Sequence, residues 1–201
     1  MWFLLSAHKN MKSLPNILTI LRIVAIPLII AAFYIPSLKM AALVALGLFI
    51  FASITDFLDG YLARKYEVES KFGQMLDPIA DKLLVAAVLL MLVVSDSADL
   101  IPVVIIILRE LLVSGLREFV ADNNGVMTVT KLAKWKTTAQ FLAIITLIFV
   151  PLAQAEFAAE VFQVGTILLW IAAALTFVTG VEYTSAAMKF IKHLKEKENE
   201  K

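Results

Sequence analysis

Apolar residues fill the chain in six long runs, which short polar or proline-containing breaks separate. The runs cover residues 16–35, 40–63, 77–95, 100–121, 131–153 and 158–189. An α-helix needs about 20 apolar residues to cross a hydrocarbon layer about 30 Å thick, and each run is close to that length or longer. The pattern therefore predicts an all-α integral membrane protein with six transmembrane helices.

Composition supports this prediction and excludes several classes of protein. Hydrophobic residues make up 61% of the 201 residues, against about 45–50% in an ordinary soluble domain, and the mean hydropathy is +0.87. A net charge of +1 gives no basic field for nucleic acid. The absence of cysteine excludes disulfides, thiolate metal sites and cysteine nucleophiles.

Three segments follow from the hydropathy pattern. Residues 1–13 are predicted to form a short interfacial segment with Trp2 and Phe3 among the lipid headgroups, the alternative being a disordered N-terminus. Residues 14–190 form the six-helix transmembrane domain. Residues 191–201 form a charged tail that is interpreted as a solvated helix end, in which His193 is a surface residue and not a ligand.

Lysine and arginine predict the orientation in the membrane, because cytoplasmic loops are enriched in them. With the N-terminus in the cytoplasm and six alternating helices, the outer side receives only one basic residue, Lys39. The cytoplasmic side receives Lys9, Lys12, Arg64, Lys65, Lys71, Lys131, Lys134, Lys136 and the tail from Lys189 to Lys201. Both termini are therefore predicted to be cytoplasmic. A bacterial plasma (cell inner) membrane is favoured over a mitochondrial one, because no Arg-rich, Ser-rich presequence is visible.

Acidic residues are concentrated where the second run ends and the third begins. One helical face carries Asp56, Asp59, Gly60 and Ala63, at relative positions 0, 3, 4 and 7. Asp77 and Asp81, four residues apart, share a face of the next helix. If the two helices are antiparallel, all four carboxylates converge at one membrane depth on the cytoplasmic side.

Converging carboxylates repel one another strongly in a low dielectric unless cations lie between them. Carboxylate oxygens suit Mg²⁺ or Mn²⁺ rather than zinc, and paired ions are common in transfer at phosphorus. The small residues Gly60 and Ala63 leave space for a bulky group such as a nucleotide, and Arg64 is placed to pair with phosphate oxygens. The simpler alternatives are an Asp77 N-cap before Pro78, ordinary interfacial charges at Asp81 and Lys82, and an Asp59–Arg64 ion pair.

The pattern Asp-x2-Asp-Gly-x2-Ala-Arg-x8-Gly-x3-Asp-x3-Asp, from Asp56 to Asp81, resembles the signature of the CDP-alcohol phosphatidyltransferase family. The resemblance implies the CDP-alcohol phosphotransferase fold, a homodimer and a site for two divalent cations, Mg²⁺ or Mn²⁺. It implies that Asp56, Asp59, Asp77 and Asp81 bind metal and that Asp81 is also the catalytic base. The residues implied to receive the CDP part of the donor lipid are Gly60, Ala63, Arg64 and Gly73.

Basic residues in the fourth and fifth runs suggest the acceptor. Arg109 lies inside an apolar stretch, where a charge is costly, and Arg117 follows eight residues later. Lys134 and Lys136 open the fifth run around Trp135. Together these cations predict a pocket for an acceptor that carries a phosphate. The alternatives are an Arg109–Glu110 network that braces the helices and lysines that only set topology.

The outer motifs resemble those of bacterial phosphatidylglycerophosphate synthases, a branch of the same family. They are Pro15-Asn16-x-Leu18-Thr19-x-x-Arg22, Arg109-Glu110-x4-Ser114-Gly115-Leu116-Arg117 and Lys134-Trp135-Lys136-Thr137. The resemblance implies transfer from CDP-diacylglycerol to sn-glycerol 3-phosphate. It implies that Arg117, Lys134, Arg109 and Lys136 bind the acceptor phosphate, that Asn16 and Thr19 lie near the headgroup site, and that Arg22 is a weaker candidate there.

Other functions are left open by the sequence. Within the family, the acceptor could instead be an inositol phosphate or phosphatidylglycerol. From other classes, a cation transporter would use the aspartates as its binding site, and a membrane scaffold would have no need of all four. A transporter requires carboxylates near the bilayer midplane, whereas the sequence predicts them at cytoplasmic helix ends.

Overall fold

The structure is a computed structural model that describes residues 14–66, 71–128 and 131–199. Within these ranges the side chains of residues 14–17, 56–66, 71–75, 77, 131, 195 and 197–199 lie outside the description. The chain divides into two compact units. Unit 1 comprises Met1–Ser95 with Ile148–Ala158, and unit 2 comprises Asp96–Leu147 with Ala159–Lys201.

The described residues form six α-helices and one 3-10 turn, with no strand among them. The helices are α1 (Leu14–Ala32), α2 (Leu38–Tyr66), α3 (Lys71–Val94), α4 (Leu100–Asp122), α5 (Lys131–Phe149) and α6 (Ala158–Asn199). Each apolar run corresponds to one helix, so the prediction of an all-helical fold is confirmed. The predicted interfacial segment, residues 1–13, lies outside the described residues.

Several helices begin or end at residues other than those that bound the apolar runs, for two physical reasons. Helix α3 begins six residues before the apolar run that starts at 77. Helix α6 continues ten residues beyond 189, which confirms that the chain stays helical past the last apolar run. Hydropathy marks only the part of a helix that suits hydrocarbon, whereas backbone hydrogen bonds continue through polar residues. Proline shortens two other runs: α1 ends before Pro36, and α5 gives way to the 3-10 turn Val150–Leu152 at Pro151.

The end of α4 shows why a predicted break falls at 122–125. The Gly125 amide donates to the Val120 carbonyl at 2.8 Å, and the Asn124 amide donates to Ala121 at 3.0 Å. Asn124 has a φ of 57°, in the left-handed region that asparagine tolerates. These features form a Schellman motif, which satisfies the last carbonyls of the helix.

In unit 1, α1 packs against both α2 and α3. Small side chains fill much of this core: Ala25 and Ala32 on α1, and Ala45 and Ala52 on α2, are buried. Small residues allow helix backbones to approach closely, which is the usual basis of helix packing in membranes. Unit 1 thus holds together the helices that carry the acidic motif.

Unit 2 is held together by α4, α5 and α6. On α6, a methyl group placed at Gly165 would lie 2.7 Å from Cδ2 of Leu147 on α5, so the glycine permits close packing. The indole Nε1 of Trp170 on α6 donates to Oδ2 of Asp99, the residue before α4, at 3.0 Å. These contacts fix α6 against both neighbouring helices.

Three segments among the described residues are long and apolar enough to cross a membrane: Leu38–Thr55, Leu132–Leu152 and Ala158–Leu194. Leu18–Ala32 is a shorter apolar helix. In α4, the charges of Arg109, Glu110 and Arg117 interrupt the apolar sequence. Large apolar side chains are also exposed along the helices, as expected for a surface that faces hydrocarbon. The chain is a membrane protein, and the count of six crossings stays a prediction.

Candidate functional site

The acidic motif lies on two continuous helices, as its spacing predicts. Asp56 and Asp59 belong to α2, and Asp77 and Asp81 belong to α3. The side chains of Asp56, Asp59 and Asp77 lie outside the described residues, so the convergence of the four carboxylates stays a prediction. The same holds for the positions named for the CDP group: Gly60, Ala63, Arg64 and Gly73.

The structure excludes one simpler explanation of the motif. An N-cap stands before its helix, but α3 begins at Lys71, so Asp77 and Pro78 lie inside it. Pro78 has no amide hydrogen, and the carbonyl four residues earlier therefore has no helical donor. Asp77 thus stands beside a local opening in the backbone hydrogen bonds of α3, and the N-cap interpretation is wrong.

Asp81 is half-buried on α3. Among the described side chains, no group of three or more histidine, cysteine or acidic residues could hold a metal, but three of the four motif aspartates lie outside that set. The donor chemistry fits divalent cations, since carboxylates spaced by one helical turn present oxygen ligands from a common face. Thr19 and Arg22 are buried on α1 in the same unit, while the side chain of Asn16 lies outside the described residues.

In unit 2, Glu110 joins two of the predicted acceptor-binding cations. Its Oε1 accepts from Nη1 of Arg109 at 3.3 Å and also pairs with Nζ of Lys136. The three side chains are mostly buried, with exposed fractions of 21% for Glu110, 10% for Arg109 and 7% for Lys136. The bracing network that the sequence offered as an alternative is therefore present, and it includes Lys136 as well.

Arg109 is held by α6 as well as by Glu110. Its Nη2 donates to Oγ1 of Thr179 at 3.1 Å, and its guanidinium carbon lies 5.4 Å from the centre of the Tyr183 ring. Its Nε is buried and has no hydrogen-bond acceptor among the described residues. A buried arginine fixed by an anion, a hydroxyl and a ring is strongly oriented.

Arg117 and Lys134 are the exposed members of the predicted set. The guanidinium carbon of Arg117 lies 5.5 Å from the centre of the same Tyr183 ring, so this ring joins it to Arg109. Arg109, Arg117 and Lys136 carry three positive charges, and Glu110 offsets one of them. The cluster therefore retains a net charge of +2, with Arg117 accessible to an anion.

A groove of about 420 Å³ runs between α4 and α6 beside this cluster. Its walls include Leu108 and Leu112 on α4 and Phe177 and Val181 on α6, with Arg109 and Gly180 also contributing. The leucines, Phe177 and Val181 are all exposed. This lining suits hydrocarbon chains and not a phosphate, so the groove and the cationic cluster have different chemistry.

Sequence reasoning missed the contribution of α6. Thr176, Thr179, Gly180 and Tyr183 are all buried and occupy relative positions 0, 3, 4 and 7, the spacing of one helical face. That spacing could have predicted a shared helical face. Threonine, glycine and tyrosine are common in membrane helices, however, and none of the four residues is charged, so the sequence carries no specific signal for a functional role. We call these four residues the α6 stripe.

Comparison with known proteins identifies the family. The sequence profile of the CDP-alcohol phosphatidyltransferase family matches residues 12–178. A protein of Rickettsia felis, named CDP-diacylglycerol–glycerol-3-phosphate 3-phosphatidyltransferase, is 50% identical over 179 residues, covering 89% of this chain and 97% of the relative. Proteins with the same name are 41% identical in Cereibacter sphaeroides (90% of this chain, 97% of the relative) and 39% identical in Bacillus subtilis (90% and 98%).

The match covers both the aspartate motif on α2 and α3 and the basic residues of α4 and α5. The relatives also align over nearly their whole length, so they share the architecture and not only one motif. The resemblance inferred from the motif is confirmed: the chain belongs to the CDP-alcohol phosphatidyltransferase family, whose members are transferase enzymes.

Proposed function

We propose that the chain transfers the phosphatidyl group of CDP-diacylglycerol to sn-glycerol 3-phosphate, giving phosphatidylglycerophosphate and CMP. This is the first committed step in the synthesis of phosphatidylglycerol and cardiolipin. The names of the relatives in Rickettsia felis and Bacillus subtilis support both substrates. The observation that carries the proposal is the cationic cluster of Arg109, Arg117 and Lys136 around Glu110.

The charge of this cluster matches a phosphate monoester. Such a group carries about −1.5 to −2 at neutral pH, close to the net +2 that the cluster retains. Arg117 and Lys134 are exposed and would bind the phosphate directly, whereas Arg109 and Lys136 would shape the field from a buried position. A neutral acceptor such as inositol, or a cationic one such as choline, would gain nothing from these residues.

The donor and metal roles fall to residues of α2 and α3. Asp56, Asp59, Asp77 and Asp81 would hold two divalent cations, Mg²⁺ or Mn²⁺, and Gly60, Ala63, Arg64 and Gly73 would receive the CDP group. When bound, the cations supply positive charge that offsets the charge of the diphosphate. Helical spacing of the carboxylates supports this assignment, and Asn16 and Thr19 are assigned to the headgroup region.

Asp81 is assigned as the general base. The acceptor hydroxyl oxygen forms a bond to the phosphorus that carries the lipid, and the bond from that phosphorus to the CMP oxygen breaks. The hydroxyl proton passes to the Asp81 carboxylate, and CMP departs with the bonding electrons. Half-burial of Asp81 leaves its carboxylate partly accessible.

The acceptor is tested by measuring CMP release from CDP-diacylglycerol with each candidate acceptor in turn. We expect purified protein in detergent to release CMP with sn-glycerol 3-phosphate well above the rate in water alone. Inositol phosphate and phosphatidylglycerol are expected to give only the background rate. If glycerol 3-phosphate gives no more CMP than water, the proposed acceptor is wrong.

The matched variant for this test is Arg117→Gln. Loss of a charge-assisted hydrogen bond weakens binding by about 1.5–3 kcal/mol, roughly 10- to 100-fold. We expect the KM for glycerol 3-phosphate to rise by about that factor while the KM for CDP-diacylglycerol stays unchanged. Lys192→Gln, which removes an exposed cation near the end of α6, is expected to change neither constant.

We also propose that the protein is a homodimer, as the family resemblance implies. We place it in the inner (plasma) membrane with both termini in the cytoplasm, because basic residues are concentrated on that side of the predicted topology. The cysteine-free sequence allows a direct test with single cysteines at two exposed positions. In intact cells, Gln154→Cys is expected to react with a membrane-impermeant thiol reagent. Asn123→Cys is expected to react only after permeabilisation, and the opposite pattern would reverse the topology.

A further inference from the structure

We propose that the α6 stripe is a positioning device that holds Arg117 in the orientation required to bind the acceptor phosphate and Arg109 in the orientation from which it shapes the field there. This inference rests on the proposed role of the two arginines and adds a function for Thr179, Gly180 and Tyr183. All three are buried on α6. Thr179 contacts Arg109, Tyr183 contacts both arginines of α4, and Gly180 leaves space for Arg109. The substrate therefore meets side chains of α4 whose geometry is set by α6.

Gly180 provides the space for Arg109. A methyl group at this position would lie 2.9 Å from Cγ of Arg109 and 3.8 Å from its Nε. Contacts below 3.0 Å force something to move, and here the obstacle is the stem of the arginine itself. Any larger residue at 180 would push Arg109 away from α6 and change the direction of its guanidinium group.

Thr179 fixes one end of that guanidinium group. Its hydroxyl donates within its own helix, where the Leu175 carbonyl lies at 2.8 Å and the Thr176 carbonyl at 3.1 Å. With its hydrogen used in this way, Oγ1 presents lone pairs and accepts from Nη2 of Arg109. Because the hydroxyl hydrogen of Thr179 is already donated within α6, its oxygen can only accept a further hydrogen bond. This suits a guanidinium group, whose N–H groups can only donate hydrogen bonds.

Tyr183 brings the two arginines together. Residues 109 and 117 are separated by eight positions on α4, or about 12 Å along a helix axis. Both guanidinium carbons nevertheless lie within 5.5 Å of the centre of one buried ring. Attraction between a cation and an aromatic ring acts over about 6 Å, so the ring offsets part of the repulsion between two like charges.

The experiment compares the KM for glycerol 3-phosphate with the KM for CDP-diacylglycerol in full-length protein. In Tyr183→Leu, loss of two cation–ring contacts is expected to raise the acceptor KM roughly tenfold, with the donor KM unchanged. Tyr183→Phe keeps the ring and is expected to stay within about twofold of the wild type. Equal effects in the two variants would overturn the role of the ring.

Gly180→Ala provides an independent test that does not depend on Tyr183 and is expected to raise the acceptor KM severalfold. Its matched control is Gly165→Ala, because the added methyl group there would lie 2.7 Å from Leu147, compared with 2.9 Å from Arg109 at position 180, and would crowd no arginine. We expect Gly165→Ala to leave the acceptor KM unchanged even if the protein melts at a lower temperature. A rise in acceptor KM in both variants would show a general packing defect and overturn the proposal.

Arg117→Gln separates failure of this inference from failure of the proposed function. An unchanged acceptor KM in Arg117→Gln would overturn the proposed role of the arginines, and the inference with it. A raised acceptor KM in Arg117→Gln together with unchanged values in Tyr183→Leu and Gly180→Ala would overturn the positioning role alone.

Discussion

Asp81→Asn is expected to lower kcat by about 10³-fold, because a positioned general base contributes about 10²–10⁴-fold to a proton transfer. The amide has nearly the shape of the carboxylate but cannot accept the proton of the acceptor hydroxyl. It also removes one of the four negative charges proposed to hold the metal ions. The measurement is CMP release with both substrates at saturating concentrations, so that weaker binding does not enter the comparison.

The control for this variant is Asp96→Asn. Asp96 is exposed in the turn after α3 and has a φ of 54°, a conformation that asparagine also tolerates. The same chemical change outside the acidic motif is therefore expected to leave kcat unchanged. Gel filtration in detergent would show that both variants fold. An Asp81→Asn enzyme that retains more than about a tenth of its kcat would remove Asp81 from the role of base.

The sequence predicted the six helices of the described residues in their order, because each apolar run is long and the breaks between them contain proline, glycine or charges. It did not predict where α3 begins. Lys71 is charged and therefore unfavourable in hydrocarbon, so hydropathy excludes it from the apolar run, yet α3 begins at Lys71. The error matters for the site, because it left open an N-cap role for Asp77 that the helix bounds exclude.

Charges on α4 and α5 were found from the sequence because an ionisable residue inside an apolar run is conspicuous. Their pairing was only partly predicted. Glu110 stands next to Arg109 in sequence, but Lys136 reaches it from 26 residues away, a contact that requires the packing of α4 against α5. The α6 stripe was missed because none of its members is charged. Its role depends on where two arginines of another helix lie.

Glu110→Gln is expected to destabilise the protein by about 3–5 kcal/mol, since removing one partner of a buried ion pair leaves uncompensated charge. Glu110 is the shared partner of Arg109 and Lys136, and both cations are about nine-tenths buried. The neutral amide still accepts hydrogen bonds but does not offset either charge. Denaturant unfolding in detergent would measure the change in the free energy of unfolding.

Because two cations surround one carboxylate, we expect substitution of one cation and substitution of the carboxylate to change the free energy of unfolding by different amounts. Lys136→Met removes one cation and leaves Arg109 paired with Glu110 at 3.3 Å, so we expect it to cost less than Glu110→Gln. Adding Lys136→Met to Glu110→Gln should restore part of the lost stability, because only one buried cation then lacks a counter-charge. The control is Glu118→Gln at an exposed position of α4, which we expect to leave the free energy of unfolding unchanged. If Lys136→Met were as damaging as Glu110→Gln, unbalanced buried positive charge would not account for the loss of stability, and the charge-balance explanation would be wrong.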